Sequence, residues 1–222
     1  MKNLVAYKSN SLIEASYKLS LQEQRLLLVC IGKINPLDTT QNKTFQITSQ
    51  EFFNAFPDMG KENAERRLQE ASDKLAERWI YIQWQHKEEK IRWVQGQVKY
   101  FTGEAKIELV FSDLIMPYLT QLKNKFTGIS IKNISSLKRT YSIRLYELLI
   151  QYKEVGYRKI TVEAFRSMLN IENKYEHFKD LNKFILLPAL HELNTKSDIT
   201  VNLHREKKGR KISALLFSFK EK

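Results

Sequence analysis

The feature of the sequence that most constrains its fold is an order of predicted elements that occurs twice. In the first half, an apolar helix over 19–34 precedes a strand over 45–48, helices over 49–56 and 61–78, and alternating strand segments between 79 and 111. In the second half, a helix that starts after Ser136 and ends at Gly156 precedes a strand over 159–161, a helix with Phe165, a long helix over Tyr175–Asn194, and two strands. The chain therefore carries the same pattern twice.

The two copies align in register as well as in order. An offset of 113 residues, from Ile47 to Ile160, also places Thr161 on Thr48 and Phe165 on Phe52. A helix, a strand, two helices and a β-hairpin are the pattern of a winged helix-turn-helix domain. We therefore expect an α+β protein of two tandem winged-helix domains, 1–125 and 126–222.

Capping and turn residues predict several element ends. Thr48 and Glu51 have the spacing of a capping box, and Pro57 and Gly60 should end the helix that follows. We expect a strand turn at Thr102-Gly103, a connecting helix over Ser112–Lys125, and Ser136 as the cap of the next helix. The last two strands, 199–203 and 212–219, should flank a basic loop.

Charge indicates the kind of partner. The chain carries 37 Lys and Arg against 25 Asp and Glu, a formal net charge of +12 with a pI near 9.6. Residues 1–125 hold 18 basic and 15 acidic side chains, net +3, and residues 126–222 hold 19 basic and 10 acidic, net +9. A basic chain with this fold favours double-stranded DNA as its partner. The second domain should provide the main sequence-specific DNA binding.

The sequence lacks the motifs that metal or nucleotide chemistry needs. One Cys and four widely separated His provide no zinc-type cluster, and Thr195 stands where a zincin helix starting at His191 needs its second His. No Walker loop is present. We therefore expect no cofactor, no metal and no enzymatic activity. No apolar run reaches a membrane-spanning length, which predicts a cytoplasmic protein.

The candidate DNA-contacting residues lie mainly in the second domain. The polar face of its long helix and the segment just before it contribute Lys174, His177, Lys179, Asn182 and Lys183. The basic loop contributes His204, Arg205, Lys207, Lys208, Arg210 and Lys211. Lys138 and Arg139 are expected to open a helix, where the macrodipole disfavours cations, so a nearby phosphate would explain them. Arg66 and Arg67 are candidates for auxiliary backbone contacts in the first domain.

Each group has a structural alternative that the sequence leaves open. Glu176 and Asp180 have the spacing to pair with Lys179 and Lys183, which would make that face a solvated helix surface. The basic loop can be a solvated hairpin tip. Arg66 and Arg67 can pair with glutamates, because the exposed face of their helix is mostly acidic. The three tryptophans should pack on sheets, and Cys30 should be a core thiol.

Four segments carry a resemblance to a known family. They are LSLQEQRLL, ITSQEFFNAF, LKRTYSIRLYELLIQY and the stretch from His177 to Phe219, in which Pro188-Ala-Leu, Glu192-Leu-Asn194, Ser197-Asp-Ile199 and Lys207-Lys-Gly-Arg-Lys-Ile212 are the most specific parts. This pattern resembles the replication initiators of iteron-bearing plasmids, which are built from two winged-helix domains. The resemblance implies binding to directly repeated origin DNA, opening of adjacent AT-rich DNA, and recruitment of a host replication initiator and helicase.

Two other functions stay open at this point. A dimeric winged-helix transcriptional repressor has the same architecture, and initiators of this family also repress their own promoters as homodimers, with the first domain as the expected dimer surface. A site-specific nuclease is the other alternative, and it is disfavoured because rolling-circle initiators nick DNA beside a metal held by a His-x-His pair, which the sequence does not have.

Overall fold

The computed structural model describes residues 4–37, 42–100, 105–120 and 122–222, and the chain divides into two compact units, Met1–Ser136 and Leu137–Lys222. The expected boundary at 125/126 is therefore wrong. Residues Phe126–Ser130 form a strand that pairs antiparallel with Val5–Ser9, which makes this segment part of the first unit. Moving the boundary transfers Lys132, so the net charges become +4 (19 basic, 15 acidic) and +8 (18 basic, 10 acidic).

The first unit combines a winged-helix frame with additional strands. Its elements are β1 (Val5–Ser9), α1 (Asn10–Glu14), β2 (Ser16–Tyr17), α2 (Leu21–Gly32), β3 (Thr44–Thr48), α3 (Ser49–Ala55), a 3-10 turn (Pro57–Met59), α4 (Lys61–Ala76), β4 (Trp79–Gln83), β5 (Glu88–Arg92), β6 (Val94–Lys99), β7 (Lys106–Phe111), a 3-10 turn (Met116–Tyr118), β8 (Phe126–Ser130) and α5 (Ile131–Ile134). In the described residues, the sheet orders are β3-β7-β6, β2-β4-β5 and β1-β8. The frame is α2, β3, α3, α4 and the β6-β7 hairpin.

The second unit has the same frame without the additional strands. Its elements are α6 (Thr140–Ile150), β9 (Tyr157–Thr161), α7 (Val162–Met168), α8 (Phe178–Leu181), a π turn (Asn182–Leu186), α9 (Leu187–Lys196), β10 (Ile199–Lys208) and β11 (Lys211–Glu221). The sheet order is β10-β11-β9, with antiparallel pairing throughout. We call residues 178–196 the long helix, and β10, β11 and the turn between them the wing.

The predicted repeat is present in the local structure of both units. Thr48 and Thr161 end equivalent strands and cap α3 and α7, each accepting a backbone N–H from three residues further on at 3.1 Å. Phe52 and Phe165, four residues after each cap, are buried. The fold is therefore the predicted α+β arrangement of two tandem winged-helix units.

A π turn keeps the long helix packed along one stripe. Leu181, Ile185, Ala189 and Leu193 are buried at four-residue spacing, which in a regular α-helix would rotate the stripe by roughly 120° over three steps. The N–H of Leu187 donates to the carbonyl of Asn182, five residues earlier, and Pro188 has no N–H to continue the ladder. The wider turn takes up most of the rotation, so the four side chains stay on the core side.

Two expectations about the connection between the domains are wrong. Within the described part of 112–125, the helical structure is the 3-10 turn at Met116–Tyr118, because Pro117 lacks the N–H that a longer helix would need. Ser136 does not cap a helix; α6 begins at Thr140, with Arg139 as its N-cap residue. The expected turn at Thr102-Gly103 lies outside the described residues.

Two expectations about the second unit also need correction. The long helix begins at Phe178 rather than at Tyr175, whose φ of 54° is left-handed and cannot belong to an α-helix. The two last strands extend through most of the expected basic loop and leave Gly209 and Arg210 as the turn. Gly209 has a φ of 64°, which a glycine adopts without strain.

Candidate nucleic-acid interface

The N-terminal part of the long helix is the centre of the candidate interface. Lys174, His177, Lys179 and Lys183 are exposed, and His177 is the N-cap residue. Within the described part of the chain, neither Lys179 nor Lys183 forms an ion pair, so the pairing with Glu176 and Asp180 considered above does not occur. These cations face solvent close to the helix N-terminus, where a recognition helix contacts base edges and phosphates.

Arg166 on α7 fixes the segment that leads into the long helix. Its guanidinium donates hydrogen bonds to the backbone carbonyls of Lys174, Tyr175 and Glu176. The rigid donor fork of arginine suits such a cluster of carbonyls, and it stabilises the left-handed Tyr175. The sequence gives no signal of this role, because the contact spans a loop. The placement of Lys174 and His177 depends on it.

A side-chain hydrogen bond joins the wing to the long helix. Nη2 of Arg205 donates to Oδ1 of Asn182 at 3.0 Å. Sequence reasoning selected both residues as separate DNA contacts, and the structure brings them together. The bond uses one oxygen of Asn182 and leaves its amide NH2 as a donor, while Arg205 retains further N–H groups.

Within the described ranges, the basic side chains at residues 204–211 of the wing have no acidic partner. The exposed residues are His204, Arg205, Lys207, Lys208, Arg210 and Lys211. Glu206, the acid within residues 204–211, is half-buried and pairs with Lys159 at 2.5 Å. Lys208 lies directly opposite Lys211 across the two strands, and like charges opposite each other destabilise a hairpin. This arrangement has a cost in the free protein that an anionic ligand would remove.

Lys138 and Arg139 precede α6 instead of opening it, and a carboxylate from α9 holds their backbone. Glu192 accepts hydrogen bonds from the N–H groups of Lys138 and Arg139 at 2.8 and 3.1 Å. Burial works to raise the pKa of Glu192, but hydrogen bonds from the backbone N–H of Lys138 and the ammonium group of Lys196 outweigh it and hold the pKa below its ordinary value. The side chains of Lys138 and Arg139 are exposed. The argument that these two cations oppose the helix dipole and need a phosphate therefore no longer applies. A cap by Glu192, which the sequence does not indicate, holds this segment instead.

In the first unit, α4 presents a different surface. Its exposed acids are Glu62, Glu65, Glu70 and Asp73, with Glu77 directly after its end, and its exposed cations are Lys61, Arg66 and Lys74. Arg66 pairs with Glu70 at 2.8 Å, and Arg67 is half-buried. Arg66 therefore makes the ion pair that the sequence offered as its alternative.

The three tryptophans differ in how far they are buried. Trp93 is buried against Tyr17, but Trp79 and Trp84 are 36% and 42% exposed. Lys90 and Arg92 lie over the Trp79 ring at 4.6 and 4.5 Å from its centroid. The alternation in β4 indicates this orientation, because Trp79 lies on the face opposite to the buried Ile80.

Outside this candidate interface, the described residues provide few groups for nucleophilic or metal-binding chemistry. Cys30 is fully buried, and burial raises the pKa of its thiol to about 12, as expected for a core residue. Among the described residues, no group of three His, Cys, Asp or Glu is placed to hold a metal ion. Within the same ranges, no helix is long and apolar enough to cross a membrane.

Comparison with known proteins gives the family of the chain. Residues 5–150 match the family model described as initiator replication protein, WH1, and residues 161–219 match initiator Rep protein, WH2. A replication initiation protein of Escherichia coli is 34% identical over 234 residues, which cover 98% of this chain and 70% of that protein. The PI protein of Escherichia coli is 33% identical over 141 residues, which cover 55% of this chain and 46% of that protein.

A solved structure shows the same fold. The crystal structure of Pi initiator protein in complex with iteron DNA matches with a TM-score of 0.85 and 22% identity, over 100% of this chain and 99% of that one. The order of elements in each unit, the two family models and the E. coli relative agree. The chain belongs to the replication initiator family, whose members carry two winged-helix domains.

Proposed function

We propose that this chain is a plasmid replication initiator that binds directly repeated origin DNA, the iterons. The Pi initiator, which shares its fold, was solved in complex with iteron DNA. Binding would promote opening of the adjacent AT-rich DNA, because bending or unwinding a bound site costs least at easily deformed steps.

The observation that carries this proposal is the contrast between equivalent helices of the two units. The long helix presents Lys179 and Lys183 without ion pairs among the described residues, and Arg205 ties it to a cationic wing. In α4 the exposed face is mostly acidic. A helix in the major groove, with a wing on the flanking backbone, needs a cationic surface like that of the long helix. Phosphate would repel the mostly acidic face of α4.

The first unit would then have a different task. Its acidic α4 face suits contacts with protein, either with a second copy in a homodimer or with the host replication initiator and helicase. Arg67, and Arg66 once it leaves Glu70, would add only weak auxiliary contacts to the DNA backbone beside these acids, and tethering makes weak contacts of this kind effective.

The proposed mechanism is binding and DNA deformation without covalent chemistry. The protein would not be an enzyme, since helicase activity would come from the host. No cofactor is required by this scheme. The place of action would be the cytoplasm, where plasmid DNA is replicated.

Selection of duplexes from a random pool with the full chain tests the proposal. The selected site, placed as tandem direct repeats and as inverted repeats, is then compared by fluorescence anisotropy. An initiator should prefer direct repeats. Preference for the inverted arrangement would favour the dimeric repressor, magnesium-dependent nicking of supercoiled DNA carrying the repeats would favour a nuclease, and recovery of no preferred site would contradict the proposal.

A further inference from the structure

Two large apolar side chains on the long helix are exposed. Phe184 is 51% and Leu187 is 50% accessible to solvent. They are three positions apart, which makes them neighbours on a helix surface, and Lys183 is adjacent in sequence. Single exposed apolar residues are ordinary, but a pair within a cationic surface calls for an explanation.

Packing of the second unit does not account for this pair. The core side of the helix is filled by Leu181, Ile185, Ala189 and Leu193, which are all buried. The π turn at Asn182–Leu186 places Ile185 and Leu186 inward together, and it leaves Phe184 on the outer side. π turns of this kind often occur at functional sites.

The ring of Phe184 is held in place before any partner arrives. Its centroid lies 5.9 Å from that of Tyr175, at an interplanar angle of 34°. The Nζ atom of Lys183 lies 5.1 Å from the same ring. Arg166 fixes the carbonyl of Tyr175, so the aromatic pair is anchored to α7. A preorganised side chain loses less conformational entropy when it binds.

We propose that Phe184 and Leu187 recognise thymine in the major groove by contact with its C5-methyl group. This inference rests on the proposed function. The methyl group is the apolar feature that the major groove presents, and phenylalanine is among the side chains that contact it. Two neighbouring apolar side chains suit two nearby methyl groups, so the target repeat contains thymines at these positions.

The charges around the pair identify duplex DNA as its occupant. Lys179 and Lys183 are exposed on the long helix and Lys174 just before it, Glu176 is the exposed acid between them, and Arg205 lies against Asn182 in the turn that carries Phe184. An apolar pair inside a field of cations matches a groove in which methyl groups lie between rows of phosphates.

Replacement of thymine by deoxyuridine tests the inference directly, because it removes the methyl group and keeps every hydrogen-bonding atom. The full chain is titrated against its selected duplex and against versions with one thymine at a time replaced. We expect a loss of about three- to fivefold at one or two positions, the factor for burying one methylene-sized group. Those positions should become insensitive to the replacement in Phe184→Ala or Leu187→Ala, but stay sensitive in Lys183→Ala. Thermal unfolding of each variant checks that it is folded.

The outcomes separate this inference from the proposed function. If selection gives a preferred duplex but no deoxyuridine position changes the affinity of the wild-type chain, the methyl contact is wrong and origin binding stands. If selection gives no preferred duplex, the proposed function fails first. If Phe184→Ala changes self-association in sedimentation while the deoxyuridine scan is flat, the pair belongs to a contact between copies and the inference is overturned.

Discussion

Arg205 on the wing donates a hydrogen bond to Asn182 on the long helix at 3.0 Å. The contact joins the two elements that a winged helix uses on DNA, one for the groove and one for the backbone. It also fixes the guanidinium of Arg205 at the edge of the cationic surface around Lys183. The geometry of the candidate interface therefore depends on a pair and not on two independent side chains.

A double-mutant cycle on Asn182→Ala and Arg205→Ala measures this dependence. Because each residue positions the other, the losses of binding free energy in the two single variants should add up to more than the loss in the double variant. We expect a coupling free energy of about 0.5–1.5 kcal/mol, the usual net value of a side-chain hydrogen bond. Anisotropy titrations at one salt concentration give the four affinities. Additive losses would mean that the bond does not organise the bound state.

The wing should contribute through phosphate contacts. Replacing Lys207 and Lys208 together by Ala should weaken specific and random duplexes alike, and should lower the slope of log K against log salt by about 0.9 for each lost contact. Lys220, exposed at the other end of β11, provides the control, since Lys220→Ala should leave the slope unchanged.

Thermal unfolding of the wing variant should resemble that of the wild type or show a slight gain, because like charges face each other at the tip. An unchanged salt slope with unchanged stability would identify the tip as a solvated turn.

Glu192 should stabilise the second unit in a pH-dependent way. Glu192→Gln removes a buried carboxylate that accepts two backbone N–H groups, and should lower the free energy of unfolding by about 1–3 kcal/mol. The folded pKa lies below the ordinary 4.5, so this stabilisation is complete above that value and is lost as the pH falls through the lowered pKa. Urea unfolding across a pH series should show the difference from the wild type shrinking at acidic pH.

An exposed carboxylate is the matched control for this series. Glu172→Gln, in the loop before the long helix, should leave the free energy of unfolding close to that of the wild type. An equal loss in both variants, or a difference that grows as the pH falls, would contradict the capping role of Glu192.

The sequence predicts the parts of this fold whose causes are local. Thr48 and Thr161 cap α3 and α7 by accepting backbone N–H groups three residues later, which is a local contact. The buried stripe of α4 follows from helical spacing. The expected loop at 204–211 is wrong, because most of these polar residues belong to the paired strands β10 and β11. Where a two-stranded ribbon extends from its sheet, both faces of β10 meet solvent, so alternation disappears while pairing continues.

Contacts between residues far apart in the sequence could not be predicted from local sequence patterns. Glu192 caps the amides of Lys138 and Arg139 across more than 50 residues, and nothing in the 138–139 segment indicates it. The role of Arg166 depends on the left-handed turn at Tyr175, which the periodicity assigned to a helix. Phe184 is not a predicted site residue, because its exposure follows from the π turn. The sequence pattern alone does not show the shift in helical periodicity that this turn produces.

The most direct test of the account compares the equivalent helices on one chain. Lys179→Ala and Lys183→Ala should each cost about 1–3 kcal/mol on the specific duplex and much less on random DNA, because base contacts carry sequence preference. The Arg66→Ala, Arg67→Ala double variant should weaken both duplexes equally and keep their affinity ratio. Anisotropy titrations of both duplexes at one salt concentration give this ratio for every variant. A ratio that falls with the changes in α4 and is unaffected by those in the long helix would contradict the account.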